Sequence, residues 1–294
     1  MASPLKFGVL ANPAGWHFRD LLRAANERFR LAPVQYSRLA TSLSNSNQEF
    51  VSSAQNLLDF DALLIRAMPT GSLSQVVLRM DLLQQLHESG LPMINRPKTI
   101  EASVDKYLSL AKLRRAQIPI PQTAACQSTE EAIQMFDQLG GDVVVKPMFG
   151  SQGRGLERVT TRKEAETCFN RIAESHEVIY FQRFLNHGGR DLRLLVIGGE
   201  VIGMARENAT HWVTNVSCGG TPSAYQPTHT ETELALAAAR AVGGEFVGVD
   251  LIYENHQPYL VDINSSPGWS AISQVNQVDV ASRLLDLLAR ISQA

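Results

Sequence analysis

Several features that mark whole classes of protein are scarce in this 294-residue chain. It holds three cysteines, Cys126, Cys168 and Cys218, far apart. There is no Cys-x-x-Cys pair and no histidine at zinc-finger spacing, which excludes a disulfide framework and a structural zinc site. An odd, sparse set fits a reducing compartment. No stretch approaches the roughly 18 apolar residues of a membrane span. The opening MASPLKFGVLANPAGW carries one lysine and a short apolar run ending at Asn12-Pro13, without the h-region of a signal peptide. A cytoplasmic protein with no membrane partner is expected. Charge of one sign is also lacking: 27 Lys plus Arg against 29 Asp plus Glu leave a net charge of -2. No basic field exists to hold a nucleic-acid backbone by counterion release, so no nucleic-acid partner is expected. Neither a Gly-x-x-x-x-Gly-Lys-Ser/Thr loop nor a helix-opening Gly-x-Gly-x-x-Gly is present, and no internal repeat or low-complexity tract is found.

What is there describes an ordinary globular protein, with 44% hydrophobic and 19% charged residues. At roughly 150 residues per domain, about two folding units are expected, or three small ones. A strand over 5–11, the turn Asn12-Pro13-Ala14-Gly15, a helix over 17–29, a strand over 62–68 and a helix over 73–89 predict an α/β unit with a parallel sheet. Its boundary falls at Asn95-Arg96-Pro97. A helix is then expected over 104–117, a strand over 121–125, a helix capped by Ser128, strands over 142–147 and 156–160, and a helix over 162–175. Two hairpins follow, the first turning at Gly198-Gly199, with helices over 231–242 and 278–291.

The hairpin Val247-Gly248-Val249-Asp250-Leu251-Ile252-Tyr253 and Tyr259-Leu260-Val261-Asp262-Ile263-Asn264 carries the clearest chemical signal. A five-residue loop over 254–258 would set Asp250 opposite Asp262, with Cβ atoms ~4.5 to 5.5 Å apart. At an effective dielectric of ~20 their repulsion is about 3 kcal/mol and must be offset. Alternation puts Asn264 on the same face and turns Val249, Leu251, Val261 and Ile263 to a core. Two carboxylates and an amide oxygen make an all-oxygen site suited to Mg2+; a solvated acidic strand face is the other reading. Next, Lys146 ends an apolar strand beside the loop Gly150-Ser151-Gln152-Gly153-Arg154-Gly155. An ammonium and loop amides can cover a phosphate, or the lysine can snorkel from an ordinary turn. On the Gly198-Gly199 hairpin Asp191 falls opposite Arg206, with Arg193 on the same face, as a surface ion pair or an anion clamp. Arg66, at a strand end before Pro69, Gly71 and Ser72, suits an anion site, or a packing turn capped by Ser72. His17 and Trp16 on the first turn pose the same choice.

Together these residues resemble the ATP-grasp ligases, and within them the RimK-like amino-acid ligases, over about residue 95 to the C-terminus. The most specific likeness is the Gly-Val-Asp strand followed by Asp262-Ile263-Asn264-Ser265-Ser266-Pro267-Gly268. The resemblance implies an ATP-grasp fold with an N-terminal α/β domain over 1–95, a central subdomain with a Gly-rich lid loop over 96–185 and a C-terminal subdomain with the metal site over 186–294. It implies that Asp250, Asp262 and Asn264 bind one or two Mg2+ ions, with Mn2+ able to substitute. It assigns Lys106 and Lys146 to the ATP phosphates under the loop of Gly150, Ser151, Gln152, Gly153 and Gly155. It also assigns Gln182, Arg183 and Phe184 to the adenine hinge and Asp191 to the ribose. Arg193, Arg206 and Asn215 fall around the acyl phosphate and metal, the two arginines as catalytic groups. Arg66 and Ser72 are candidates for holding the acceptor. Two positions depart from the family: Asp262 stands where glutamate is usual, and Arg183 where an acidic residue is common.

The activity implied is carboxylate activation by ATP, followed by amine attack on the acyl phosphate to form an amide. Glutamate is the amino acid implied. The acceptors of such relatives include a ribosomal protein tail, carrier proteins, and pterin or deazaflavin tails. The near-neutral charge favours a small carboxylate metabolite or cofactor, for example tetrahydromethanopterin. Homodimers and homotetramers are common in the family. Two alternatives stand beside this reading: a catalytically impaired ATP-binding regulator or scaffold, suggested by the two departures, and an enzyme joining two identical amino acids.

Overall fold

The computed structural model describes residues 3–66, 68–150 and 155–293. Strand β1 (Lys6–Leu10) leads through helix α1 (Trp16–Ala25) to β2 (Arg30–Val34). A small antiparallel sheet of β3 (Leu39–Leu43), β4 (Gln48–Ser52) and β5 (Gln55–Asn56) follows. The chain then forms β6 (Ala62–Ile65), α2 (Leu73–Glu88) and β7 (Met93–Ile94). Strands β2-β1-β6-β7 make the expected parallel sheet. All four β6 residues are buried, the unbroken apolar run of a strand covered on both faces. Helix α1 stops at Ala25, short of the expected residue 29, because Asn26 and Glu27 take left-handed φ values of 34° and 64°. The sheet over 39–56 was not expected; its sequence is polar, and Phe50 is its buried anchor.

Beyond residue 95, the helix expected over 104–117 is two helices, α3 (Pro97–Val104) and α4 (Lys106–Arg115). Asp105 separates them in an extended conformation and caps α4, its Oδ1 accepting from Leu108 N at 2.9 Å. Lys106 therefore opens a helix. The second sheet contains β8 (Thr123–Cys126), β9 (Val143–Val145), β10 (Glu157–Val159) and β11 (Ile179–Arg183), all antiparallel in the order β10-β9-β11-β8. Helices α5 (Thr129–Gln138) and α6 (Arg162–Glu174) close its core, with Ser128 capping α5 as the sequence predicts.

The third sheet joins β12 (Arg190–Ile197), β13 (Glu200–Glu207), β14 (Thr221–Tyr225), β15 (Phe246–Glu254) and β16 (Gln257–Asn264) in the order β14-β13-β12-β15-β16. Helix α7 (His229–Val242) packs on it. Gly198-Gly199 is the two-residue turn, and Asp191 pairs with Arg206 as predicted. The β15–β16 hairpin keeps Asp250 opposite Asp262 by a different route. Its turn is two residues, Asn255 and His256, both left-handed, with Glu254 opposite Gln257 and Tyr253 opposite Pro258. That tighter turn alone would put Asp250 out of step with Asp262. A β-bulge restores the pairing, because Leu251 meets Leu260 and Asp250 meets Asp262, leaving Val261 as the extra residue. Val261 consequently lines the cavity with Asp262, whereas Leu260 takes the core position beside Leu251 and Ile263.

A short helix, α8 (Ser270–Asn276), absent from the sequence expectations, precedes α9 (Val280–Ser292). The C-terminal segment returns to the first sheet: Trp269, Leu284, Leu285 and Leu288 share a core with Phe7, Val9, Leu64 and Phe18. Asn95 ties the same parts together. Its side chain donates to Phe246 O at 2.6 Å and Ser265 O at 2.7 Å, and accepts from Glu245 N and Phe246 N. No helix among the described residues is long and apolar enough to cross a membrane.

Candidate active site

A cavity of about 670 Å3 opens between the second and third sheets and reaches the carboxyl ends of β1 and β6. Asp250, Asp262 and Asn264 line it together. Burial raises the pKa of Asp262, Asp250 opposite adds to this, and Lys106, Lys146 and Arg193 oppose it. Among the described residues no group of three His, Cys, Asp or Glu gathers in metal-binding geometry. Two carboxylates and one amide oxygen are nevertheless the sparse, hard donor set that suits Mg2+, whose remaining positions go to water and substrate phosphates. The Asn264 Oδ1 also accepts from Ser266 N at 2.8 Å, which orients it.

Two arginines offset the carboxylates. Arg193 Nη1 donates to Asp250 Oδ1 at 2.8 Å, and Arg206 Nη2 lies 3.0 Å from the same oxygen. Arg206 also binds Asp191, through Nε at 2.7 Å and through Nη2. Burial opposes the Arg206 charge, but Asp250 and Asp191 hold its pKa above the ordinary value. Both Asp191 oxygens are thus engaged by Arg206, and Asp191 itself lines the cavity. The clamp is buried, unlike a surface ion pair, with Arg206 4% exposed and Asp191 6%.

Lys146 follows β9, its backbone N–H held by Tyr180 O at 2.9 Å. Burial lowers its pKa to about 8 against the pull of Asp262. Burial lowers that of Lys106 as well, and its Nζ donates to Met148 O at 3.2 Å and Gly150 O at 2.9 Å. The first turn of α4 thereby meets the start of the Gly-rich loop. Ser151, Gln152 and Gly153 lie outside the described residues. Gly155 does not line the cavity; its φ of 74° and a built Cβ only 2.9 Å from Pro147 Cγ account for a glycine there.

At the hinge, Gln182, Arg183 and Phe184 border the cavity beside Val144, Ile252 and Val261, an apolar slot for a flat base. The Gln182 amide donates to Tyr180 OH at 3.1 Å. The Arg183 guanidinium turns to Glu254, with Nη2 2.7 Å from Oε2, and the other oxygen of Glu254 accepts from Asn186 N. The unusual cation thus has a built partner on β15. Asn215 lines the cavity from the loop before β14.

At the far end Arg66 follows β6, 7% exposed, with Nη2 donating to Pro267 O at 2.8 Å and the guanidinium 4.6 Å above the Trp269 ring. His17 lies against the same indole. Ser72 is not part of the site: it is exposed, does not line the cavity, and forms the capping box of α2 with Gln75. Trp16 is exposed and outside the lining. The sequence reading gave no role to Trp269, Ser266 or Glu254. Ser266 lies inside the motif that carried the resemblance, and its position next to Asn264 was the available signal; nothing local marks the other two.

The RimK-like ATP-grasp domain model matches residues 103–288. A tetrahydromethanopterin:alpha-L-glutamate ligase of Methanosarcina acetivorans is 30% identical to this chain, the match covering 97% of the chain and 99% of the relative. The crystal structure of a RimK domain ATP-grasp protein from Sphaerobacter thermophilus superimposes with a TM-score of 0.72 at 25% identity, over 97% of this chain and 99% of that one. The ATP-grasp ligase PsnB, complexed with a minimal precursor, Mg and ADP, shares the fold with a TM-score of 0.74 at 19% identity, over 98% of both chains. A cavity lined by two lysines, two opposed aspartates and a buried arginine clamp, in a chain matched over most of its length, identifies the protein as a member of the RimK-like ATP-grasp family of ATP-dependent carboxylate–amine ligases.

Proposed function

We infer that the protein joins the amine of glutamate to a carboxylate of a small metabolite or cofactor, the carboxylate first taking the γ-phosphoryl group of ATP with release of ADP and the amine then displacing phosphate to form the amide. The observation that carries this reading is the row Lys106, Lys146, Asp262, Asp250, Arg193 and Arg206 along one cavity wall. Lys106 and Lys146 would neutralise phosphate oxygens, and Asp250, Asp262 and Asn264 would hold Mg2+. Bound there, the metal supplies charge neutralisation for phosphoryl transfer. Arg193 and Arg206, held by their carboxylate partners, would stabilise the oxyanion formed when the amine attacks the acyl phosphate. Val144, Ile252 and Val261 would pack on the base, with Gln182 and hinge backbone reading its edge. The relative's name, tetrahydromethanopterin:alpha-L-glutamate ligase, supports a pterin-type tail as the acceptor class and glutamate as the amino acid. Mn2+ substitution, a homodimeric or homotetrameric assembly and a cytoplasmic location belong to the same proposal.

The test is ADP formation by purified protein with Mg-ATP and L-glutamate, with and without a pool of carboxylate metabolites. ADP that depends on both, with a product one glutamyl residue heavier than a pool component, is expected. Dependence on a different amino acid would replace glutamate. ADP formation with an amino acid alone, and a product built only of that amino acid, would establish homologous coupling instead.

A further inference from the structure

Three polar atoms at the far end of the cavity are buried without a hydrogen-bond partner among the described residues: Arg66 Nη1, His17 Nε2 and Ser266 Oγ. All three residues line the cavity. They come from three separate segments, β6, α1 and the turn after β16, so no local loop geometry explains their convergence. A buried polar group left unpaired costs free energy, and native structures keep few of them. Beside them opens α1, a ten-residue helix whose N-cap, Gly15, offers no side-chain cap and lines the same cavity. Its first-turn amides and positive end favour an anion.

The guanidinium is held from behind and leaves its other nitrogen for a ligand. Nη2 is fixed by Pro267 O, while the Trp269 and Phe246 rings, which meet edge to face, lie 4.6 and 5.7 Å from the guanidinium. Pro267 also reaches toward Arg193: a Cβ on Gly248 would lie 3.0 Å from both Pro267 Cβ and Arg193 Nη1. Pro267 therefore touches the Arg66 guanidinium through its carbonyl and borders the space beside Arg193 through its ring. His17 adds no second charge, since burial and then Arg66 lower its pKa to about 4 against the pull of Asp20. One cation, a neutral imidazole, a hydroxyl and a helix N-terminus match a monoanionic carboxylate better than a dianionic phosphate.

We propose that Arg66, Ser266, His17 and the N-terminus of α1 form a carboxylate subsite that binds an unreacted carboxylate of the incoming amino acid and so aims its amine at the acyl carbon beside Arg193. The assignment rests on the ligase reading. The carboxylate to be activated belongs beside Lys146 and the acidic face, which leaves the Arg66 end to the amine-bearing substrate. The subsite selects acidic or ordinary α-amino acids over amines that lack a carboxylate.

Calorimetric titration of L-glutamate, of its α-amide and of its γ-amide into the full-length protein, without turnover, tests the subsite apart from the reaction. Wild type should bind glutamate and lose at least tenfold in affinity for one of the two amides, which names the carboxylate held. Arg66→Met and Ser266→Ala should each weaken glutamate binding about tenfold or more and abolish that discrimination, with ATP affinity within twofold of wild type. Ser266→Ala removes only a hydroxyl, so it remains informative if Arg66→Met fails to fold. No glutamate binding by wild type at millimolar concentration, equal binding of all three compounds, or unchanged discrimination in Ser266→Ala would overturn the proposal. Glutamate binding without ADP formation under any acceptor would overturn the reaction assigned above and leave the subsite standing.

Discussion

Arg193 lies directly opposite Asp250 across the β12–β15 ladder, and its guanidinium rests over the bare Cα of Gly248. A methyl at Gly248 would meet Arg193 Nη1 at 3.0 Å and Cζ at 3.1 Å. Gly248→Ala should therefore push the guanidinium off Asp250 Oδ1 and lower kcat by about 10²-fold, the scale of a misplacement near 1 Å. Steady-state ADP formation measures this, and a wild-type kcat in Gly248→Ala would show that the close approach has no catalytic role.

Asp191 holds Arg206 with both oxygens in a buried site. Removing one partner of a buried ion pair costs roughly 3 to 5 kcal/mol, because the other charge is left uncompensated. The coupling to Asp250 will soften this for Arg206. Asp191→Asn should lower the urea midpoint and kcat while changing KM for ATP little. A large KM effect with unchanged stability would instead place Asp191 on the ribose.

Lys146 has a folded-state pKa of about 8, below its ordinary 10.5. In the free enzyme it loses its proton as pH rises through 8, and with it the charge offered to phosphate. The pH profile of kcat/KM for ATP should fall above about pH 8, and Lys146→Arg should flatten that limb. The sign for stability is opposite. Between about 8 and 10.5 the unfolded chain binds more protons at this site than the folded one, so the Lys146 contribution to stability rises with pH. Urea midpoints at pH 7.5 and 9.5 in wild type and Lys146→Met check this.

Asn95 makes four hydrogen bonds from a side chain that is 1% exposed, joining the exit of the first sheet to the start of β15 and the segment after β16. At ~1 kcal/mol net for each bond, Asn95→Ala should destabilise by about 2 to 4 kcal/mol. It should also loosen the Arg66 end of the cavity, since Ser265 neighbours Ser266. Chemical denaturation together with KM for the amino acid reads both effects, and a change below about 0.5 kcal/mol would show that water replaces the clamp.

Much of the architecture was legible because it rests on local rules. Alternating apolar strands and helices marked the parallel sheet, Gly198-Gly199 marked a turn, and Ser128 marked a cap. The opposition of Asp250 and Asp262 was legible as well, although by a loop that the protein does not use. The tight Asn255-His256 turn and the bulge at Val261 compensate one another; Asn255 suits a left-handed turn position, but His256 and Val261 carry no such signal. The split at Asp105 had a local signal, since Asp favours an N-cap over a helix interior, but the flanking residues carry no proline or glycine to mark a break.

The sequence by itself determined the chemistry: which strands carry carboxylates, arginines and lysines, and that their spacing resembles an ATP-grasp ligase. Side-chain alternation and turn length act over a few residues, so a linear pattern contains them. Only the tertiary structure decided how those groups are shared. Arg183 finds Glu254, Arg206 is divided between Asp191 and Asp250, and Arg66 lies against Trp269 and Phe246. Asp191 and Arg206 face each other across a local hairpin, but Arg183 meets Glu254 across 71 positions, and Arg66 meets Trp269 only because the C-terminal segment packs back on the first sheet, a long-range consequence of burying apolar surface that no local pattern encodes.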